Sequence, residues 1–472
     1  MPKKRNILIL EYIKLYINRV VLLLIVIFII NSKVLHAQNL SLIQDAEIEL
    51  AIREWIEPIF KVANISSESV NIYIVNDNNI NAFVAGGQNI FINTGLIIKA
   101  KEANALIGVL AHEIGHIAGG HLNRTINSMK EARSTVTIAT IITAGLMAAS
   151  KAAGLRTPGI SKLVTLGPTI AERNFYKNSR QNEKYADAAA LKYMKAVNRS
   201  PLPLAKLLKN LGKQELLHEN RQDPYLRTHP ISRERINTIM EKSQNINIEL
   251  SNNSKLDEIK YKRIVAKIIA FTNRPGKTLL LYPKNNKNID AKYARAIAYL
   301  RLPDLDKGIK EINNLIYNNT KDPFFPELLG QMLFENGQIY ESISALQRAA
   351  ELLPNNPIIL LSLSRAQIEF SGELENNNAI VNLKNILKNV PENIAAWKLL
   401  SIAEARNNNI GLAQLASAES YYLLGEYNLA LQFANKSRIS FKKKSPSDIR
   451  ALDIIFFSKD KINKLRAAEN ID

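Results

Sequence analysis

The chain has 472 residues and no cysteine. Disulfides are therefore excluded, and so is anchoring through an acylated cysteine. Thiolate metal ligands go with them, so a metal would have to be held by nitrogen and oxygen. Histidine is scarce: six in all, three of them between His112 and His121. Long apolar runs are scarce too. Val20 to Ile30 follows the basic residues Lys3, Lys4, Arg5, Lys14 and Arg19 and precedes Leu35-His36-Ala37. That run is short for a bilayer span, and the pattern reads as a signal peptide over 1–37, cleaved after Ala37. Leu35 fits the cleavage site less well than alanine, which keeps an uncleaved anchor as the alternative. No nucleic-acid motif accompanies the net charge of +19, and an exported chain would not meet nucleic acid. The excess charge allows peripheral contact with anionic lipid headgroups. A Lys/Asn/Ile-rich compositional bias is the simpler source of it.

What is present is His112-Glu113-Ile114-Gly115-His116, inside a strongly helical stretch from Ala103 to Leu122. Histidines at i and i+4 lie one above the other on a helix face, so both imidazoles reach one zinc ion. Glu113, one position round the helix, is placed to act as general base without occupying a ligand site. The neighbours Leu106, Ile107, Val109, Leu110, Ile114 and Ile117 are apolar, and unpartnered imidazoles among them would be costly.

A catalytic zinc needs a third protein ligand. Glu183 supplies it, with Asp187 four residues on along a second helix. Asp187 is placed to accept the free ring N–H of a ligating histidine and fix its tautomer. Glu172 is the rival third ligand, with no carboxylate four residues later. The other reading of Glu183 and Asp187 is a solvated face paired with Arg180 and Lys184.

H-E-x-x-H followed by E-x-x-A-D resembles the gluzincin branch of zinc metallopeptidases, and within it the M48 family. The lead-in Asn81-Ala82-Phe83-Val84-Ala85-Gly86-Gly87 and the later Arg227-Thr228-His229-Pro230 with Arg235 are similar to further elements of that family. The match covers roughly residues 40–240, with several motifs in the family's order. A metzincin pattern fails, because His121 falls one position too early for its third histidine. The resemblance implies one zinc per chain on His112, His116 and Glu183, with Glu113 as base and Asp187 behind the ligands. It also implies that His229 is a regulatory ligand able to fill the zinc's open position. Arg235 would either steady an oxyanion or support its loop. His121 reads as a structural, hydrogen-bonded histidine.

Val70 to Val75 alternates as a strand, and Ala82–Ala85 and Asn89–Asn93 flank a Gly86-Gly87 turn. Asn81, Ala82 and Phe83 then form an edge able to hold an extended peptide by main-chain hydrogen bonds. Thr135 to Ala149 is apolar and rich in small residues, and reads as a lid helix or as a membrane or partner contact.

From about Asp290 the pattern is all helical, with Pro323, Pro354 and Pro391 as punctuation and a period of thirty-odd residues. Leu329-Gly330, Leu333, Gly337, Leu346, Ala349 and Pro354 fall at tetratricopeptide-like positions. The expected organisation is a signal peptide at 1–37 and an α+β gluzincin metalloprotease domain, mostly helical with a small sheet, at 38–250. A connection at 251–288 leads to an all-α tetratricopeptide-like array at 289–472. The combination resembles exported, repeat-bearing members of the family. That resemblance implies a periplasmic endopeptidase of misfolded outer-membrane proteins, with the barrel-assembly machinery as partner of the array. A chaperone-like scaffold with a self-inhibited zinc is the alternative.

Overall fold

A computed structural model describes residues 41–85, 88–121, 170–216, 223–244, 252–302 and 304–469. The expected signal segment, the Gly86-Gly87 turn and the Thr135 to Ala149 stretch lie outside the described residues. So does the side chain of Glu172.

Asp45 starts the first helix, α1 (Ala46–Ala63), by accepting from the backbone N–H of Glu47 and Ile48. Ile48, Ile52, Trp55, Ile56, Ile59 and Phe60 recur at helical spacing and are buried. Four strands follow the period-2 pattern: β1 (Leu42–Ile43), β2 (Asn71–Val75), β3 (Ala82–Ala85) and β4 (Asn89–Asn93), in the order β1-β2-β4-β3. β2 and β4 run parallel, and β3 pairs antiparallel with β4 as the edge. Ile74, Ile90, Ile92 and Ala82 turn one sheet face into the core. Short α2 (Thr94–Lys99) leads to α3 (Ala103–Ala118), whose Leu106, Ile107, Val109, Leu110, Ala111 and Ile114 are all fully buried.

Helix α3 stops at Ala118, earlier than its apolar pattern predicts. Gly119 caps it, and Gly120 takes a left-handed φ of +59°, which an L side chain rarely adopts. Against α3 pack α4 (Ile170–Ala196) and α5 (Leu202–Gly212). Gly115 makes the first contact possible. A Cβ there would sit 3.1 Å from the Ala186 backbone and the Ala189 Cβ, so any larger residue would push α4, and Glu183 with it, away. Then come α6 (Pro224–Thr228) and α7 (Arg233–Gln244).

The stretch expected as a connection holds α8 (Asn252–Thr272) and α9 (Pro275–Leu281). Helix α8 is shared between two cores. Tyr261, Ile264 and Ile268 face the N-terminal core, whereas Ala266 and Ala270 face the helices that follow. Those helices come in pairs: α10 (Ile289–Leu300) with α11 (Leu305–Asn318), α12 (Phe324–Glu335) with α13 (Ile339–Leu352), α14 (Pro357–Phe370) with α15 (Glu373–Asn389), α16 (Ile394–Arg406) with α17 (Ile410–Leu423), and α18 (Tyr427–Ser437) with α19 (Pro446–Glu469). First helices start at 289, 324, 357, 394 and 427, a period of 33 to 37 residues. Stacked pairs of this period bury a continuous core between neighbours. The described chain is mostly helical with one small sheet, and none of its helices is long and apolar enough to cross a membrane.

Candidate metal centre

Helix α3 brings His112 and His116 to one face, one turn apart, with their Nε2 atoms 3.1 Å from each other. Helix α4 delivers Glu183, whose carboxylate lies 3.3 Å from the Nε2 of each. The residue after α6, His229, turns inward and sets Nδ1 3.2 Å from both Glu183 oxygens and 3.4 Å from His112 Nε2. One ligand atom from each of His112, His116, Glu183 and His229 lies within 4.8 Å of all the others. The three ring nitrogens and the carboxylate point at one another, and a divalent cation at their centre would be coordinated by all four residues. The donor set, three imidazoles and one carboxylate with no sulfur, fits zinc.

Behind the cluster the support is dense. Asp187 accepts from His112 Nδ1 at 3.0 Å, which leaves Nε2 for the cluster. Arg235, from α7, donates Nε and Nη2 to the two Asp187 oxygens at 2.7 and 2.8 Å. Its Nη1 reaches the Pro230 carbonyl at 2.5 Å and Glu183 at 3.0 Å. Four of the five guanidinium N–H directions are thus committed to carboxylates and to the turn that carries His229. His121 lies 3.0 Å from His116 through the two Nδ1 atoms, outside the cluster. Glu113 is buried, with Oε1 3.3 Å from His229 Nε2.

Burial and charge act against each other here. Burial dominates at His116 and pushes its pKa down to about 3, so its imidazole is neutral. At His112 burial opposes the charge, yet bonds to Asp187 and Glu183 outweigh it and raise the pKa to about 10. The Glu113 carboxyl is raised by burial. Burial works the same way on Glu183, but the facing histidines overcome it and hold the carboxyl well below its ordinary range.

Residues 44–243 match the profile of Peptidase family M48. They form an M48-family peptidase domain. The chain is also similar over most of its length to "Beta-barrel assembly-enhancing protease" of Escherichia coli (strain K12), 23% identical over 385 residues, 80% of this chain and 76% of the relative. "Putative beta-barrel assembly-enhancing protease" of Vibrio cholerae serotype O1 is 26% identical over 379 residues, 79% and 75% of the two chains. "Metalloprotease LoiP" of Escherichia coli (strain K12) is 28% identical over 180 residues, 38% of this chain and 65% of that one. The M48 domain makes the protein a metalloprotease.

Within the M48 domain the expected residues converge: His112, Glu113, His116, Glu183, Asp187, His229 and Arg235 all meet around one point. Asn81 is buried near them and accepts from Thr228 at 3.4 Å, while Ala82 and Phe83 continue from it along the edge strand. Two residues were not anticipated. Tyr225 stacks on His229, with centroids 4.7 Å apart and planes 29° apart, and is buried. Asp223 ties the start of α6 to the hairpin by accepting from Ile80 N–H at 2.9 Å. The only sequence signal for either was Pro224, which favours the first turn of a helix and stands five residues before His229.

Proposed function

We propose that the protein is an exported zinc endopeptidase that cuts misfolded or stalled outer-membrane β-barrel precursors. Its M48 domain would have the gluzincin fold, and the helix pairs would form a tetratricopeptide-like array presenting clients. The observation that carries the chemistry is the convergence of His112, His116, Glu183 and His229 ligand atoms within 4.8 Å of one another. In this reading His112, His116 and Glu183 hold the zinc, and Asp187 fixes the His112 ring. A bound zinc supplies Lewis acidity and acidifies its water. Glu113 takes a proton from the attacking water and returns it to the leaving amine. Arg235, with four of its five N–H directions taken by Asp187, Glu183 and Pro230, supports the His229 turn rather than an oxyanion.

His229 gives the site its restraint. Seated among the ligands and clamped against Tyr225, it would take the fourth zinc position and lower activity until the segment 224–230 moves. This geometry also favours the second reading, a scaffold that works mainly through its array while the zinc stays capped. The names of the relatives support the client class, with the barrel-assembly machinery as partner of the array. The basic, apolar N-terminal segment supports export with cleavage near Ala37; a periplasmic location in association with the outer membrane goes with the proposed clients.

The test is cleavage of unfolded outer-membrane protein by wild type, Glu113→Gln and His229→Ala, with zinc measured in each. Glu113→Gln should keep stoichiometric zinc and lose about 10²–10⁴-fold in rate. His229→Ala should keep zinc and cut faster. Absence of zinc from wild type, or cleavage indifferent to Glu113, would overturn the enzyme.

A further inference from the structure

On the sheet face turned away from the core, three aromatic rings stand in one row. Tyr73, Phe91 and Phe83 are partners across β2, β4 and β3. The Tyr73 and Phe91 centroids are 5.0 Å apart at 20°, and those of Phe91 and Phe83 are 5.0 Å apart at 12°. All three rings are half-buried. The rows on either side, Ile72-Ile90-Val84 and Ile74-Ile92-Ala82, face the core, so the aromatic row is not a core requirement. It ends at Phe83, on the edge strand. Among the described residues, no strand pairs with the far side of β3.

The parity of that edge is fixed by one bond. Asn93 N–H donates to the Asn81 carbonyl at 3.0 Å. Hydrogen-bonded pairs alternate along an antiparallel ladder, so Asn81, Phe83 and Ala85 turn their backbone groups to β4. Ala82 and Val84 turn theirs outward. An antiparallel strand added to β3 therefore bonds to Ala82 and Val84. Its residue opposite Phe83 falls in a non-hydrogen-bonded position, with Cα atoms about 4.5 Å apart and side chains at their closest.

We infer that this position is an aromatic subsite: the substrate side chain opposite Phe83 continues the Tyr73-Phe91-Phe83 row as a fourth ring. Phe83 is then the residue that sets specificity, and the preferred substrate is an extended segment with a ring at one fixed distance from the cut. The inference rests on reading β3 as the substrate edge in the proposed protease. It also fits that reading's clients, because barrel strands alternate polar and apolar residues and carry aromatic girdles at both membrane interfaces. Stacking of this kind should favour Phe, Tyr or Trp over Ala at the subsite by about threefold to tenfold.

Two measurements test it on the full-length, zinc-loaded protein. The first is binding of extended ten-residue peptides to Glu113→Gln, with a tyrosine walked along an alternating Thr/Val background. One position should bind tighter than its alanine counterpart, and Phe83→Ala in the same background should erase that difference. The second is mass-spectrometric mapping of wild-type cuts in denatured outer-membrane protein, where rings should be enriched at one distance from the scissile bond. Phe83→Leu, which keeps apolar bulk, should shift that enrichment from rings to leucine and isoleucine, and it serves if the alanine variant does not fold. Peptides that bind with no position-specific ring preference, or a preference that survives both substitutions, overturn the subsite and leave the protease standing. Failure of every peptide to bind, together with absence of wild-type cleavage, overturns the edge-strand reading and the subsite with it.

Discussion

Two buried clusters of charged side chains organise this molecule, and they are built on opposite rules. Around His112, potential ligand atoms from two helices and a turn face one another: His112 Nε2, His116 Nε2, His229 Nδ1 and the Glu183 oxygens. At the junction of the M48 domain with the helix pairs, donors and acceptors alternate instead. Lys267 from α8 lies 2.7 Å from Asp45 and 3.3 Å from Glu47, and 3.8 Å from Glu327 of α12. Arg263 pairs with Glu47 and Asp322, and its guanidinium sits 4.7 Å over the Phe325 ring. Tyr293 donates to Glu47 at 3.0 Å. The first cluster converges four potential ligand residues on one point with a cation of its own only at the rear, in Arg235. The second carries its own cations and works as a clamp between domains. Both clusters are buried; convergence of potential ligand atoms on one point separates the first from the second.

Removing a ligand should separate them most sharply. His116→Ala should weaken zinc by more than the roughly 10–100-fold that loss of an outer partner costs. Proteolysis should fall with it, while metal-free stability changes little. Inductively coupled plasma analysis and urea unfolding in chelator check the two halves of that statement. The mirror experiment is Lys267→Met, which leaves Asp45 and Glu327 without their cation while Glu47 keeps Arg263 and Tyr293. Breaking a buried pair in this way costs about 3–5 kcal/mol. Zinc stoichiometry in the folded fraction should stay at one. A variant that lost zinc but kept its stability would show that the junction also holds the site in place.

The two clusters also differ in how far the sequence reveals them. The convergence around His112 was legible because its geometry is local: His112 and His116, and Glu183 and Asp187, are each one helical turn apart, and His229 and Arg235 belong to one short motif. The edge strand was legible from its alternation. Tyr225 was not, since a single aromatic in a five-residue helix leaves no period to read. The junction was not legible either. Lys260, Lys262, Arg263 and Lys267 look alike in sequence, yet Lys260 pairs with Glu54 at the surface while Lys267 is buried. What buries Lys267 is Glu47 and Glu327, 220 residues behind it and 60 ahead by number. Only the docking of α1 and α12 on α8 decides which lysine meets water. Likewise the early end of α3 is set by the backbone at Gly120, where the apolar pattern still runs on.

Asp187→Asn probes the ligand site more gently. An amide in place of the carboxylate can no longer favour the His112 Nδ1–H tautomer as strongly, and it gives up the charge that pairs with Arg235. Zinc affinity should drop about 10–100-fold, with the ligands intact and cleavage restored at high zinc. Competition with a fluorescent chelator measures the first effect. If affinity held, Asp187 would be a brace for Arg235 alone.

The smallest effect distinguishes how each cluster handles surplus negative charge. At the ligand site, Glu183 stays ionised against a facing set of histidines. At the junction Glu327 does the opposite. Burial pushes its carboxyl up from 4.5 to about 7; Lys267 opposes the shift, and Asp45 and Glu47 add to it. Arg263 and Tyr293 complete the surroundings of that pocket. Because the folded protein binds this proton more tightly than the unfolded chain, the stability it contributes is full below about pH 4.5 and is lost as pH rises through 7. Glu327→Gln is permanently neutral and lacks that dependence. The wild-type unfolding free energy minus that of the variant should therefore fall between pH 5 and pH 8, measured by urea unfolding at fixed zinc. A difference that stayed flat would mean that Lys267 keeps Glu327 ionised throughout. The junction would then balance its charge by pairing alone, without a proton.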